Sequence, residues 1–321
     1  MLEQDAGRGV GTLARAADYE ILAHFFNDNL TSDNYGLLLY YAYGELKNDK
    51  MRLAAGLQRD IFNPVGSTIL PISYLYGSGN AGSYRGQLRF ERYGHFEDGS
   101  QLTFQFGLGE PISTLVVNSL KDPLVEDNGW PNVEGRLALG VGETQEYMGA
   151  RKQRAVEFGV SGVVGQIRIT RVDLGTPGPL RIIDDIWGLG CDFQWAVTDR
   201  LGVKAEGFVG QTLGEYNAGV LQNFNSDTYR PIRSRGGYGE VYYYVHPKVH
   251  IHCGYGIDNP YAKDLAPGQI ASNQTFFNTV MWDVNKTIQV GFEVDYRKTN
   301  YISPLNDVDG LLFMTQFLWR F

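Results

Sequence analysis

Apolar and polar residues alternate with a period of two along much of the chain. Between residues 84 and 93, Gly86, Leu88 and Phe90 share one face, while Arg85, Gln87, Arg89 and Glu91 share the other. Between 101 and 109, Leu102, Phe104, Phe106 and Leu108 alternate with Gln101, Thr103, Gln105 and Gly107. Between 287 and 297, Ile288, Val290, Phe292, Val294 and Tyr296 alternate with Gln289, Gly291, Glu293, Asp295 and Arg297. This period is that of β-strands. The runs exceed the usual strand of about five or six residues and match the ~9–11 that a tilted strand needs to cross a bilayer.

Short connectors alternate with long ones. Residues 47–49, 97–100, 197–200, 246–248 and 283–286 are tight turns. Between them lie Gly-, Pro- and Asn-rich stretches at 63–83, 111–132, 175–183, 211–233, 258–273 and 298–307. A soluble sandwich has no reason to sort its connections by length, whereas a membrane barrel puts short turns on one side and long loops on the other. The pattern predicts about fourteen strands, near 17–26, 35–46, 51–62, 84–93, 101–110, 133–141, 155–168, 184–196, 201–210, 234–244, 249–257, 274–282, 287–297 and 310–321. Sixteen fits nearly as well, and residues 1–16 are too short and polar to assign. In hydrocarbon each unpaired backbone N–H or C=O costs several kcal/mol, so such a sheet has to close on itself. The expected fold is therefore one all-β, closed antiparallel transmembrane barrel over residues 17–321, following an N-terminal segment, 1–16.

Composition agrees. The 321 residues include 40 glycines, and aromatics make up 13%. Charged residues are 20%, too few for a disordered chain, and no apolar run is long enough for a membrane helix. The net charge of −8 disfavours a general nucleic-acid binder. Cys191 and Cys253 have no metal-ligand spacing. The opening residues lack a basic region and an apolar run, so no signal peptide is expected. Taken alone this points to the cytoplasm, and equally to a mature or shortened chain; the strand pattern outweighs it.

The last residues, from Leu312 to Phe321, end on phenylalanine with Phe317 and Trp319 at alternate positions before it. They resemble the closing strand of bacterial outer-membrane barrels, in which such aromatics form part of an interfacial girdle. The stretch from Ala55 to Pro64, running on to Ser83-Tyr84-Arg85-Gly86-Gln87-Leu88-Arg89, resembles the third-strand and third-loop region of porins. Gly109-Glu110-Pro111-Ile112 and Gly159-Val160-Ser161-Gly162 are similar to porin segments too, those of the DcaP-like branch among them. The likeness runs from about residue 17 to the end, without the N-terminal coiled coil of some DcaP-like porins. It implies an outer-membrane homotrimer in contact with lipid, passing small hydrophilic solutes or ions by diffusion. It also implies that the loop near 63–83, rich in Gly and Pro, folds inward and narrows the pore.

Charged rings and constrictions set pore selectivity. The candidate pore-lining and constriction residues are Arg85, Arg89 and Glu91, with Arg52, Gln58 and Asp60 on the preceding strand, and Glu134 and Arg136 on another wall. Opposed Arg and Asp/Glu clusters would create a transverse field; the plainer reading is ordinary solvated charge. Arg230, Arg233 and Arg235 read equally as an anion funnel or as a rim that is salt-bridged or faces lipopolysaccharide. His250 and His252 share a face without a third ligand nearby, so lumenal histidines are expected and no metal. Cys191 and Cys253 fall on the apolar face. No cofactor is expected, nor an enzyme: no nucleophile elbow, zinc-protease motif or phosphate loop is present, and the adjacent Asp184 and Asp185 point to opposite faces. Residues 35–43 are apolar on both faces, and Leu312, Met314 and Leu318 fall on the inward side. An apolar lumen patch covered by the inward loop or by residues 1–16 is expected there. The alternatives are a soluble β-sandwich or jelly-roll that binds carbohydrate or serves at a surface, a plugged structural or adhesive barrel, and, more remotely, an outer-membrane hydrolase.

Overall fold

A computed structural model describes residues 16–28, 34–70, 74–111, 124–126, 130–171 and 180–319. Its strands are β1 (Ala16–Asp28), β2 (Asn34–Lys47), β3 (Met51–Arg59), β4 (Tyr84–His95), β5 (Gln101–Gly109), β6 (Leu124–Glu126), β7 (Asn132–Val141), β8 (Gln145–Tyr147), β9 (Arg151–Gln153), β10 (Val156–Arg171), β11 (Leu180–Ala196), β12 (Leu201–Gln211), β13 (Arg233–His246), β14 (Val249–Pro260), β15 (Ile270–Asp283), β16 (Ile288–Tyr301) and β17 (Val308–Trp319). Fourteen of them form one antiparallel sheet in chain order, with β6 attached to β10 and β8–β9 as a separate hairpin. These fourteen fall on the fourteen segments that the alternation marks out. Strands β1 and β17 are the two ends of the order, and among the described residues no ladder joins them.

Every strand follows its neighbour because each connection is either a tight turn or a loop that returns along the same edge. The turns are closed by side chains that the sequence supplies. Asn48 Oδ1 accepts from the Lys50 and Met51 amides at 2.8 and 2.9 Å, and Asn285 Oδ1 from the Thr287 and Ile288 amides at 2.8 and 2.9 Å. Asp98 accepts from the Ser100 amide and hydroxyl, which holds its carboxyl below the usual range; Gly99 beside it takes a left-handed φ of 79°. The connection 142–155 breaks the rhythm. It lies on the turn side, yet is long and carries the hairpin β8–β9.

The burial pattern is inverted relative to a soluble protein. Phe104, Phe106, Leu137, Leu139, Phe158, Val160, Phe292 and Val294 are exposed. Their polar neighbours are not: Arg85 is 1% exposed, Glu134 and Glu240 2%, and Asp295 0%. The sheet curls so that this polar face is concave. The proof is the segment after β3. Ten residues extended reach at most about 36 Å, yet residues 61–70 bond to side chains on β7, β10, β12, β13 and β16.

The concave face is not uniformly wettable. Val163 and Ile167 of β10, Ile186 of β11 and Phe208 of β12 point inward and form an apolar cluster with Phe62, Leu213, Tyr216 and Phe224 from the connections 60–83 and 212–232. An apolar patch covered by an inward segment thus exists on β10–β12. On β17, Leu312, Met314 and Leu318 are half-buried; the side chains of Leu38 and Tyr40 lie outside the described residues, as do Phe321 and the segment 1–15.

Candidate functional site

Strand β3 ends at Arg59, and the chain then turns into the concavity. Asp60 forms the root of this turn: its carboxylate accepts from the Ser83 amide at 2.8 Å, where the chain leaves again. Between these points the backbone lies across the curled sheet, and carboxylates on successive strands hold it. The Ile61 and Phe62 amides donate to Glu134 at 2.6 and 3.0 Å, and the Val65 amide to Glu206 at 2.5 Å. The Thr68 amide donates to Glu240 at 2.7 Å, and the Leu70 amide to Glu293 at 2.7 Å. A loop with no strand partner must satisfy its amides somewhere; here four glutamates do so. Charge-assisted bonds of this type contribute about 1.5–3 kcal/mol each. Lys204 adds to the strap from β12, donating to Gly66 O at 3.2 Å and Thr68 Oγ1 at 2.6 Å.

The connection 212–232 also folds inward, where the sequence pattern predicts only a long loop. It contains two short 3-10 turns, Leu213–Tyr216 and Gly219–Leu221. Thr212, Asn217, Val220, Leu221 and Tyr229 all have left-handed φ between 51° and 61°. Such backbone is costly for a β-branched residue, so it persists only because its bonds to the first segment and the wall fix it. Asn217 O accepts from the Gly77 amide and Tyr216 O from the Gly82 amide, both at 2.7 Å. Asp258 on β14 accepts from the Val220 amide at 2.9 Å.

Arg85 joins the two segments. Its guanidinium forms a bidentate pair with Asp60 at 2.5 and 3.0 Å, lies 3.8 Å from Glu134 and 3.9 Å from Glu215, and stacks 4.0 Å above the Tyr216 ring. Tyr216 donates to Glu134 at 3.0 Å. Burial, with the carboxylates around it, keeps that phenol protonated far above its ordinary range.

The candidate residues thus separate into three groups. Asp60, Arg85 and Glu134 are at the loop root and withdrawn from solvent; they anchor the strap and do not present charge to water. Arg52, Gln58, Arg89 and Glu91 form a second cluster on β3 and β4, with Arg52 bonded to Glu45, to Glu91 at 2.9 Å and to Gln58 at 3.4 Å. Arg136 stands apart, held by Asp192 at 2.6 Å and Glu157 at 3.0 Å. Each of Arg52, Arg85, Arg89 and Arg136 has an acid within 4.0 Å. The β register sets unlike charges side by side in the candidate pair Arg52 and Glu91, and does the same for Lys204 and Glu240 on β12 and β13.

The residues that hold the strap beyond β7, namely Glu206, Glu240, Glu293, Lys204 and Ser161, were absent from the candidates. Alternation alone puts them on the concave face. That a loop backbone would arrive to meet them has no local signal.

Beside the strap a cavity of about 330 Å³ is bounded by Pro64, Val65 and Gly66 of the strap and by Arg136, Glu157, Gln194 and Lys204 of the wall. Glu157 is the most exposed of its charged groups. Towards the turns, His250 and His252 face inward and contact each other at 2.6 Å; His252 Nδ1 meets Glu240 at 2.7 Å and His250 Nε2 meets Asp283 at 3.3 Å. Arg151 from β9 packs against the Tyr242 and Tyr244 rings at 4.7 and 4.5 Å. Among the described residues no three His, Cys, Asp or Glu side chains converge to hold a metal ion. At the loop-side rim, Arg233 is salt-bridged to Asp264 at 2.7 Å, Arg230 is exposed, and Arg235 points outward. Cys191 is on the outer side and Cys253 half-buried, both as free thiols.

No family model matches the chain, and no curated protein matches it. Solved structures do. The outer-membrane channel DcaP of Acinetobacter baumannii is 15% identical over 94% of this chain and 80% of its own, with a TM-score of 0.64. A loop L8 deletion mutant of OmpT, an outer-membrane protein of Vibrio cholerae, is 10% identical over 95% and 87%, with a TM-score of 0.50. At these identities the likeness is one of fold, and the fold of this chain is the porin-like, DcaP-like antiparallel sheet of outer-membrane channels.

Proposed function

We propose that the sheet closes between β1 and β17 into an outer-membrane barrel, and that the chain is a porin through which small hydrophilic solutes or ions diffuse. The observation that carries this reading is the inverted wall: aromatic and aliphatic side chains cover the convex face while arginine, glutamate and histidine line the concave one. Lipid is the environment in which such a face is stable. The polar lumen lowers the barrier that hydrocarbon raises against a hydrated solute. The strapped segment 60–83 sets the width, and Arg136, Glu157 and Lys204 beside it set the charge that a solute meets. The DcaP-like fold supports this function by analogy, and a homotrimer, implied by the same likeness, is tested by the mass of the detergent-solubilised protein.

The apolar cluster inside the sheet favours a second reading, a barrel whose two inward segments seal it for a structural role. Single-channel recording in a planar bilayer separates the two. A porin gives stepwise conductance, and Lys204→Glu moves its reversal potential towards cation preference. Folded protein that inserts but conducts nothing, with segment 64–82 intact or replaced by a short Gly/Ser linker, overturns the porin reading.

A further inference from the structure

On the convex wall, one stretch of β12 and β13 bears no large side chain. On β12 and β13 the outward positions Ala205 and Gly207 lie opposite Gly239 and Gly237 in the register. Nothing longer than a methyl group rises there, while Leu189 and Cys191 on β11 and Tyr255 and Ile257 on β14 stand on either side. The result is a groove of about 760 Å³ running along the strands. Two of its glycines are not required by the packing. A Cβ on Gly239 would meet nothing within 4 Å, and one on Gly207 would meet only Cys191 Sγ at 3.6 Å and the Gly236 carbonyl at 3.8 Å. Larger side chains would fit, so the groove is open space and not a consequence of tight packing.

At its loop-side end stands Arg235, the third residue of β13, exposed and opposite Val209 and Asn259. Its neighbour Arg233 is taken by Asp264. Among the described residues Arg235 has no such ion pair and overlies the Tyr261 ring at 5.6 Å. A charge on the lipid side is tolerated near the interface and rejected at mid-bilayer, and the start of β13 is where headgroups would lie. From Arg235 to Gly239 the strand advances about 14 Å, roughly one leaflet of a ~30 Å hydrocarbon core.

We infer that this groove binds one membrane lipid, with an acyl chain laid over Gly207, Gly237 and Gly239 and an anionic phosphate headgroup against the Arg235 guanidinium. The inference rests on the membrane-spanning reading. The occupant is argued from charge: an apolar trough alone would accept any chain, and an unpaired outward arginine at its mouth selects a phosphorylated one.

The test is native mass spectrometry of the delipidated full chain in detergent, titrated with phosphatidylglycerol or with diacylglycerol of the same acyl chains. Wild-type protein should retain phosphatidylglycerol at least about tenfold more tightly than diacylglycerol, the scale of one charge-assisted contact. Arg235→Gln should bring the two lipids together. Gly207→Leu/Gly239→Leu should weaken both and leave heat-modifiable gel mobility and channel conductance unchanged; if it fails to fold, Arg235→Gln still decides the matter. Equal retention by wild type and Arg235→Gln overturns the inference, as does a groove-filling variant that changes subunit stoichiometry instead, which would make a second copy the occupant. Wild-type protein that stays soluble without detergent removes the membrane reading itself, an outcome distinct from either.

Discussion

The buried node around Arg85 predicts an unequal response to removing either partner of its ion pair. Asp60→Ala leaves the guanidinium with Glu134 at 3.8 Å, Glu215 at 3.9 Å and the Tyr216 face at 4.0 Å. It is still flanked by negative charge, so the loss is mainly the bidentate contact and the bond to the Ser83 amide. Three charge-assisted bonds at about 1.5 kcal/mol each suggest about 4.5 kcal/mol at most, since the guanidinium keeps its other partners. Arg85→Ala is worse. It removes the guanidinium that faces the buried Asp60, Glu134 and Glu215, adds a cavity, and frees the Glu110 and Glu215 carbonyls that Arg85 now bonds at 3.1 and 3.3 Å. Breaking a buried pair costs about 3–5 kcal/mol, and the upper end or beyond is expected here. The assay is urea unfolding in detergent or lipid vesicles, followed by tryptophan fluorescence, on both single variants and the double variant. The expected order is Arg85→Ala below Asp60→Ala, with the double variant closer to Arg85→Ala than the sum of the two losses because the sites share partners. Should Asp60→Ala prove as destabilising as Arg85→Ala, the node would be a simple pair and the account of three acids sharing one arginine would fail.

Phe292→Arg, at a convex position that is 57% exposed, should destabilise the membrane-inserted protein by about 2–4 kcal/mol; a soluble sandwich surface would register almost nothing in the same vesicle unfolding assay. Gly79 has φ +114°, and a Cβ there would lie 2.2 Å from the Gly237 carbonyl. Gly79→Ala should therefore lift segment 74–82 off β13, at a cost of about 1–3 kcal/mol, with faster proteolysis of that segment as the readout. The Asp264 carboxyl is held below its ordinary range by its hydrogen bonds to Arg233, and solvent screening limits what the pair contributes. A depressed folded-state value means the contribution is present above the unfolded aspartate range and lost as pH falls through the folded one. Hydrogen exchange at residues 261–265 should hence be insensitive to the pair between pH 5 and 8 and rise only in stronger acid; a change near neutrality would contradict the assignment.

Particular residues show where sequence reading succeeds and stops. Period-two alternation is local, so Leu88 outward and Glu91 inward follow from neighbours on one strand, and the turn residues Asn48, Asp98 and Asn285 mark where each strand ends. Fourteen strands, their order and their two faces were therefore legible. Glu206, Glu240 and Glu293 were legible as concave-face residues but not as anchors, because their partners are main-chain amides 141, 172 and 223 residues away. An amide carries no side-chain signature, so nothing in the sequence says which carboxylate it will reach. For the same reason the inward course of 212–232 was invisible: of its left-handed residues only Gly219 is a glycine, and Thr212, Asn217, Val220, Leu221 and Tyr229 carry no signal for such backbone.

Alternation thus fixed what faces outward and what faces the interior, since that choice depends on one residue and its surroundings. The closing of charges into neutral pairs, the anchoring of the strap and the glycine groove on the outer wall depend on which strands meet and in what register. Those are properties of the folded sheet, and only the tertiary structure decides them.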